Sequence, residues 1–157
     1  MKYRHAFGVR ASLPEVARFH QKMESFKALN PPPIVVRLHQ AADNPQDGDQ
    51  MKFTLWLGPI PVRWVAQFSQ VSPQGFTDTQ IKGPFQKWIH QHRFHELNSQ
   101  LTEVEDIVEV EIGINPLTPI AIAMWLGLPL LFGYRAWQTR KILEASSEAN
   151  ENAGVGL

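Results

Sequence analysis

The chain has 157 residues, and its 15 Lys and Arg residues balance 15 Asp and Glu residues. This length predicts one domain with a hydrophobic core, and the zero net charge argues against a basic nucleic-acid-binding surface or an acidic disordered chain. The absence of Cys excludes a disulfide scaffold, a Cys-ligated zinc site and a thiol nucleophile, and it fits a reducing compartment.

The first predicted element is a strand over residues 2–11, where hydrophobic and polar side chains alternate. Ser12 then begins a helix, because Glu15 completes a capping box and Pro14 fits a first helical turn. Hydrophobic residues at helical spacing extend it to about residue 29. Three consecutive prolines end it, since proline cannot continue a helix.

Six further strands are predicted before residue 113. Turn-forming residues separate them, and they cover residues 34–38, 51–57, 62–71, 75–83, 86–97 and 102–112. Short connections join antiparallel neighbours, so the sheet is predicted to be mostly antiparallel. Its apolar face requires a cover, for which residues 117–145 are the natural candidate.

Five segments carry distinctive motifs. They are Gly58-Pro59-Ile60-Pro61-Val62-Arg63-Trp64, Gly75-Phe76-Thr77-Asp78, Gly83-Pro84-Phe85, Trp88-Ile89-His90-Gln91-His92-Arg93-Phe94 and Phe132-Gly133-Tyr134-Arg135. These motifs and the element order over residues 2–145 resemble the START-like, or SRPBCC, superfamily, and within it an uncharacterised bacterial group of ligand-binding SRPBCC-type proteins.

The resemblance implies an α+β helix-grip fold. In that fold a seven-stranded, mostly antiparallel curved sheet wraps a long C-terminal helix, and a short helical segment follows the first strand. The resemblance also implies a cavity between sheet and helix, usually filled by an apolar ligand. We therefore expect one ligand-binding domain over residues 1–145 and a flexible tail over residues 146–157.

Four residues of one predicted strand, Trp88, His90, His92 and Phe94, share one face. The alternation of the next strand places Asp106 on the same apolar face. If the hairpin pairs residues whose numbers sum to 198, His92 lies opposite Asp106. A slip of two residues would keep the faces and change the partners.

A buried Asp requires a partner, and three interpretations of a pair between His92 and Asp106 stay open. The pair is an internal hydrogen bond, a polar anchor for a ligand, or a catalytic acid and base. The ligand-binding residues predicted from the inward faces are Phe53, Leu55, Trp64, Phe68, Trp88, His90, His92, Phe94, Val104, Asp106 and Val108. Asp78 cannot be assigned a face, and Arg63 is predicted on the outer face, paired with Asp78 if that residue also points outward.

The His-x-His spacing of His90 and His92 is that of two metal ligands on a strand. His95 lies on the opposite face, and a third ligand would have to be Asp106 or His5. Because no second ligand motif matches, we predict no metal and no cofactor. Nucleotide-binding motifs are absent too. Nucleic-acid binding is favoured only by the net charge of +5 over residues 1–42, so we expect no nucleic-acid partner.

Residues 113–134 carry no charge and are long enough to be weighed as a membrane span, with basic residues following them. Prolines and glycines interrupt the segment, and without it the sheet would lack a cover. We therefore expect an irregular or short helical stretch over residues 116–128 and a covering helix over residues 130–145. Its sheet-facing residues are predicted to include Leu130, Leu131, Tyr134 and Ile142.

The predicted function is binding of a small hydrophobic molecule, such as a lipid, quinone, isoprenoid or polyketide-like compound. One alternative is a cyclase or dehydratase that uses His92 and Asp106. Another is a peripheral membrane protein that loads lipid through residues 117–134. We expect a cytoplasmic protein, because the polar N-terminus does not have the pattern of a secretory signal. The sequence predicts neither the ligand nor the oligomeric state.

Overall fold

The computed structural model describes residues 1–154, except for the side chains of residues 147 and 150–154. The last residues of the predicted tail, 155–157, lie outside the described residues. The elements are β1 Lys2–Val9, α1 Leu13–Gln21, α2 Met23–Ala28, β2 Val35–Gln40, β3 Gln50–Leu57, β4 Ile60–Ser72, β5 Gly75–Lys82, β6 Lys87–Asn98, β7 Leu101–Glu111 and α3 Thr118–Gly154.

The seven strands form one antiparallel sheet in the order β1-β7-β6-β5-β4-β3-β2. Consecutive strands from β2 to β7 are neighbours because short turns join them, whereas the helical segment carries the chain from β1 at one edge to β2 at the other. The predicted α+β fold, with a long C-terminal helix, is confirmed.

The hairpin of β6 and β7 has the predicted register, with His92 opposite Asp106 and His90 opposite Val108. On its other side, β6 pairs with β5, which brings Asp78 opposite His90. This second pairing depends on Gly75, whose φ is +141°. A Cβ at Gly75 would lie 1.9 Å from the carbonyl oxygen of His92, so any larger residue would push the strands apart.

The helical segment after β1 differs from its prediction. It forms two short helices, because Lys22 between them adopts an extended conformation with ψ at 139°. The capping box of Ser12 and Glu15 is present at the start of α1. A tertiary contact supports the start of α2, where Asp43 accepts a hydrogen bond from the backbone of Met23.

The C-terminal segment forms one helix rather than two pieces, and it continues through Gly127 and Pro129. Its buried residues, Ala121, Leu128, Phe132, Ala136 and Thr139, form one stripe against the sheet. The prediction that Leu130 faces the sheet is wrong, since its side chain is 81% exposed. Leu130 is two positions from both Leu128 and Phe132, which turns it about 200° away from each.

The helix is apolar well beyond its sheet-facing stripe. Thr118–Ser146 is long and apolar enough to cross a membrane, judged by length and composition, and only 22% of its most apolar window is buried. The helix also runs through the predicted boundary at residue 145, so the division into domain and tail stays a prediction. One side of α3 covers the sheet, and much of the other side is exposed.

Candidate functional site

A pocket of about 110 Å³ lies between the sheet, the two short helices and α3. Its wall is mostly apolar, with a few polar groups gathered at β5 and β6. The lining residues are His20, Met23, Phe26, Leu29, Asn30, Met51, Phe53, Leu55, Trp64, Ala66, Phe68, Phe76, Asp78, Trp88, His90, His92, Met124, Leu131 and Arg135.

Seven of the eleven predicted ligand-binding residues line this pocket: Phe53, Leu55, Trp64, Phe68, Trp88, His90 and His92. The other four, Phe94, Val104, Asp106 and Val108, are buried but do not line it. They lie on β7 or at the end of β6, where a helix packs directly on the sheet. The Phe132 ring of α3 lies 5.4 Å from Tyr3 on the neighbouring strand, and His20 of α1 lies 5.0 Å from Phe94.

The polar groups of the site form a compact cluster of two imidazoles between two carboxylates. His90 Nε2 donates a hydrogen bond of 2.9 Å to Asp106 Oδ1, and His90 Nδ1 lies 3.3 Å from Asp78 Oδ2. His92 Nε2 donates a bond of 3.2 Å to the same Asp78 oxygen. His92 Nδ1 lies 3.0 Å from Asp106 Oδ1, but its direction does not make a hydrogen bond.

Aromatic rings fix the orientation of both imidazoles. The ring of His92 stacks on Phe76 at 4.3 Å and lies 3.8 Å from the ring of His90. On α3, Phe132 presents its ring perpendicular to His90 at 5.4 Å. The cluster is therefore held by packing as well as by its hydrogen bonds, as a site requires if its groups are to keep one geometry.

Burial and charge act in opposite directions on the ionisable groups of this cluster. Burial alone lowers the pKa of His90, but the carboxylates of Asp78 and Asp106 outweigh it and raise this pKa to about 9. Burial likewise raises the pKa of each carboxylate, and the two histidines more than reverse this, so both pKa values are well below the usual range. The cluster thus holds two carboxylates beside an imidazolium at neutral pH.

Two further polar residues reach the pocket from the helices. Burial lowers the pKa of His20 to about 4, so this imidazole is neutral, and its Nδ1 donates to the backbone oxygen of Val16. Arg135 of α3 donates a bond of 3.3 Å to the carbonyl of Leu29 after α2. Its guanidinium also lies over the Phe132 ring, at 5.3 Å from the centroid. Arg135 therefore connects α3 to the end of α2 beside the pocket.

The sequence predictions did not include Asp78, His20 or Arg135 among the site residues. Asp78 points inward, so it does not pair with the exposed Arg63. The signal that assigns Asp78 is its pairing between Phe68 and His90, both on the inner face. For His20 and Arg135 the sequence carries no comparable signal, because helix packing decides which residues of α1 and α3 reach the sheet.

No protein-family model matches the chain, and no curated protein matches it. Solved structures match over nearly the whole length at low identity. A START superfamily protein from Mycobacterium smegmatis is 14% identical, and the match covers 92% of this chain and 97% of that chain, with a TM-score of 0.67. A protein from Chromobacterium violaceum is 13% identical over 88% of this chain and 96% of that chain, with a TM-score of 0.69.

A Streptomyces aromatase/cyclase is 12% identical, and the match covers 100% of this chain and 99% of that chain, with a TM-score of 0.67. Identities this low establish architecture and leave chemistry open, because one fold hosts many functions. The predicted resemblance is confirmed at the level of the fold: the chain has the START-like helix-grip fold.

Proposed function

We propose that the protein binds a small hydrophobic molecule in the pocket, with a polar group of that molecule held by the cluster of Asp78, His90 and His92. The observation that carries this proposal is the composition of the pocket wall. Aromatic and aliphatic side chains form most of it, and three of its polar groups, Asp78, His90 and His92, converge at one place, as in most small-molecule sites.

The pocket volume limits the ligand. About 110 Å³ is less than the roughly 150 Å³ of a cavity that holds benzene, and well below the roughly 300–1,000 Å³ of most ligand sites. The pocket as it stands accepts one small ring or part of a chain. A lipid, quinone, isoprenoid or polyketide-like ligand requires the short helices or α3 to move outward, which breaks the bond between Arg135 and Leu29.

Filling the pocket tests this proposal. Ala66 lines the pocket on β4, whereas the neighbouring Val65 has the opposite parity. We expect Ala66→Phe to abolish the binding of a fluorescent hydrophobic probe, anilinonaphthalene sulfonate, and Val65→Phe to leave it unchanged. If overpacking unfolds the Phe variant, Ala66→Leu replaces it. Equal probe binding by wild type and both Ala66 variants would contradict the proposal.

Native mass spectrometry of the purified protein, with organic extraction, identifies a bound molecule directly. We expect a hydrophobic compound with at least one oxygen or nitrogen, since the wall is apolar and the cluster is not. The Ala66→Phe variant is the control, because its filled pocket should no longer retain this compound, so extraction of the variant should yield none. Wild-type protein that carries nothing and binds no probe would count against ligand binding.

A cyclase or dehydratase is the alternative use of the same pocket, favoured by the presence of an aromatase/cyclase among the structural neighbours. It requires a group that transfers protons to a bound substrate, and His92 lines the pocket for this role. If His92→Ala abolishes conversion of a substrate but keeps its binding, His92 has a catalytic role. If the variant loses conversion and binding equally, His92 only anchors the bound molecule.

We also propose that the exposed face of α3 contacts an anionic membrane surface. Ile122, Leu126, Leu130 and Trp137 follow one another at helical spacing and are 45–81% exposed. We call them the α3 stripe. No acidic residue occurs from 112 to 143, whereas the ammonium of Lys141 lies 4.9 Å from the Trp137 ring centroid. An apolar stripe that ends in Trp and Lys is typical of helices in the membrane interface.

Vesicle flotation tests this contact. We expect the wild type to float with vesicles of phosphatidylglycerol, and Leu126→Glu with Leu130→Glu to abolish flotation. Ile81→Glu with Leu97→Glu is the matched control, because both side chains are of leucine size and more than half exposed, at 51% and 56%, but lie on strands. Failure of the wild type to float, or its dimerisation through the α3 stripe instead, would overturn the proposal.

A further inference from the structure

The arrangement of donor atoms around Asp78 has the dimensions of a metal site. His90 Nδ1 and His92 Nε2 lie 3.3 Å and 3.2 Å from Asp78 Oδ2. One ligand atom from each of the three residues lies within 4.8 Å of the other two. Bonds of about 2.0–2.1 Å to a tetrahedral ion place neighbouring ligand atoms about 3.3 Å apart. Two of the three separations already have this value.

We propose that Asp78, His90 and His92 bind a divalent transition-metal ion, and that Asp106 is a positioning residue behind the two imidazoles. This proposal is independent of the hydrophobic ligand. It departs from the sequence prediction of no metal, which rested on the lack of a matching second ligand motif and considered only Asp106 or His5 as a third ligand. Asp78 supplies that ligand.

Asp106 lies where metal sites usually have a carboxylate that orients the ligating histidines. Its Oδ1 lies 2.9 Å from His90 Nε2 and 3.0 Å from His92 Nδ1, the two nitrogens that point away from Asp78. A metal-bound imidazole usually donates its other N–H to such a carboxylate. Coordination through His92 Nε2 would leave the proton on Nδ1, a buried nitrogen that has no hydrogen bond in this structure and that would need only a small reorientation toward Asp106 Oδ1, 3.0 Å away.

Electrostatics also favours a cation on the Asp78 side. Both imidazoles direct a nitrogen at the same Asp78 oxygen, so a proton or a metal ion must lie between each nitrogen and that oxygen. In the metal-free cluster two N–H groups of rings only 3.8 Å apart share this one oxygen. A single divalent ion would satisfy both nitrogens and the carboxylate at once.

The site is open on the side of the pocket. Asp78, His90 and His92 line the pocket, whereas Asp106 lies behind them. Three protein ligands with an open position are typical of reactive rather than structural metal sites. Two imidazoles and one carboxylate suit zinc or ferrous iron better than magnesium or calcium. An oxygen of a molecule in the pocket would then be placed to complete the coordination.

Titration of the metal-free protein tests the proposal. After treatment with a chelator, calorimetry with Zn²⁺ should show one site, and Co²⁺ should give the visible absorption of a low-coordinate ion. Asp78→Asn and His92→Ala should each weaken Zn²⁺ binding at least 100-fold. Asp106→Asn should keep one site and weaken it about 10- to 100-fold. Circular dichroism confirms that each variant is folded.

His95→Ala is the matched control, because His95 lies on the same strand but on the outer face, 3.4 Å from Glu105. It should bind Zn²⁺ as the wild type does. Ala66→Phe should also bind Zn²⁺ while it loses the hydrophobic probe, which separates this proposal from ligand binding. No Zn²⁺ binding by the wild type, unchanged affinity in Asp78→Asn, or equal loss in His95→Ala would overturn it.

Discussion

Asp106 and Glu105 are neighbours on β7, and each places a buried carboxylate beside histidine of β6, on opposite faces of the sheet. We call them the inner and outer carboxylates. The partners of Asp106 are nearly buried, with His90 and His92 exposed by 4% and 11%. Glu105 is paired with Arg4, Arg93 and His95, whose side chains are exposed by 49–66%.

The free-energy cost of pairing a carboxylate with histidine or arginine differs between the two faces of the sheet. On the outer face, water solvates the exposed partners of Glu105, so the ion pairs cost little and contribute little. On the inner face, the groups lose their hydration and depend on one another, so we expect that removing one member destabilises the fold and that replacing the whole cluster does not. Buried ionisable groups with strongly shifted pKa values that face a pocket are candidates for function.

The largest difference between the two carboxylates is expected on truncation. Asp106→Ala removes the partner of His90 Nε2 and leaves a buried, charged imidazole with one carboxylate. We expect the free energy of unfolding to fall by about 3–5 kcal/mol. Urea denaturation measures it, and a loss below 1 kcal/mol would contradict the view that the inner members depend on one another.

Replacement of the whole inner cluster should leave the free energy of unfolding unchanged or raise it. A variant with Asp78→Val, His90→Val, His92→Leu and Asp106→Val removes all four groups and keeps a strand-compatible apolar surface. We expect it to be as stable as the wild type or to gain up to about 4 kcal/mol, while it loses Zn²⁺ binding. A large loss of stability would show that the cluster is structural.

The outer carboxylate should respond weakly. Glu105→Gln removes the charge that faces Arg4 and Arg93 but leaves both cations solvated. We expect a loss of about 0.2–1 kcal/mol in urea denaturation at pH 7 and low salt, decreasing at high salt. A loss comparable to that of Asp106→Ala would remove the distinction between the two faces.

The smallest expected effect is the pH dependence of the stability that the outer carboxylate, Glu105, contributes. The hydrogen bond from Arg4 is the main reason that the pKa of Glu105 lies below its usual value of 4.5. Because the folded-state pKa is lowered, the stability that Glu105 contributes is present above pH 4.5 and is lost as the pH falls below it. The difference between wild type and Glu105→Gln should therefore shrink between pH 5 and pH 3 in urea denaturation. If this difference in stability grows as the pH falls from 5 to 3, the folded-state pKa of Glu105 is not lowered and the prediction is wrong.

Alternation along the strands was sufficient to predict most of the sheet and its two faces. It placed Phe53, Trp64 and Trp88 on the inner face, and the short hairpin gave the correct partner of His92. Asp78 was missed because Thr77, Thr79 and Gln80 surround it, so no pattern in β5 marks an apolar face. The faces of this strand are set by its neighbours β4 and β6, which pair with it only in the fold.

Period-two alternation and turn residues are local properties, so the class of fold, the order of the strands in the chain and the histidine pair of β6 could be predicted from the residues alone. Tertiary packing was needed to show that Asp78 joins the cluster, that His20 and Arg135 reach the pocket, and that α3 keeps a broad apolar face in solvent. Each of these depends on the packing of segments distant in the chain, where burial against a partner outweighs the pattern of any one segment.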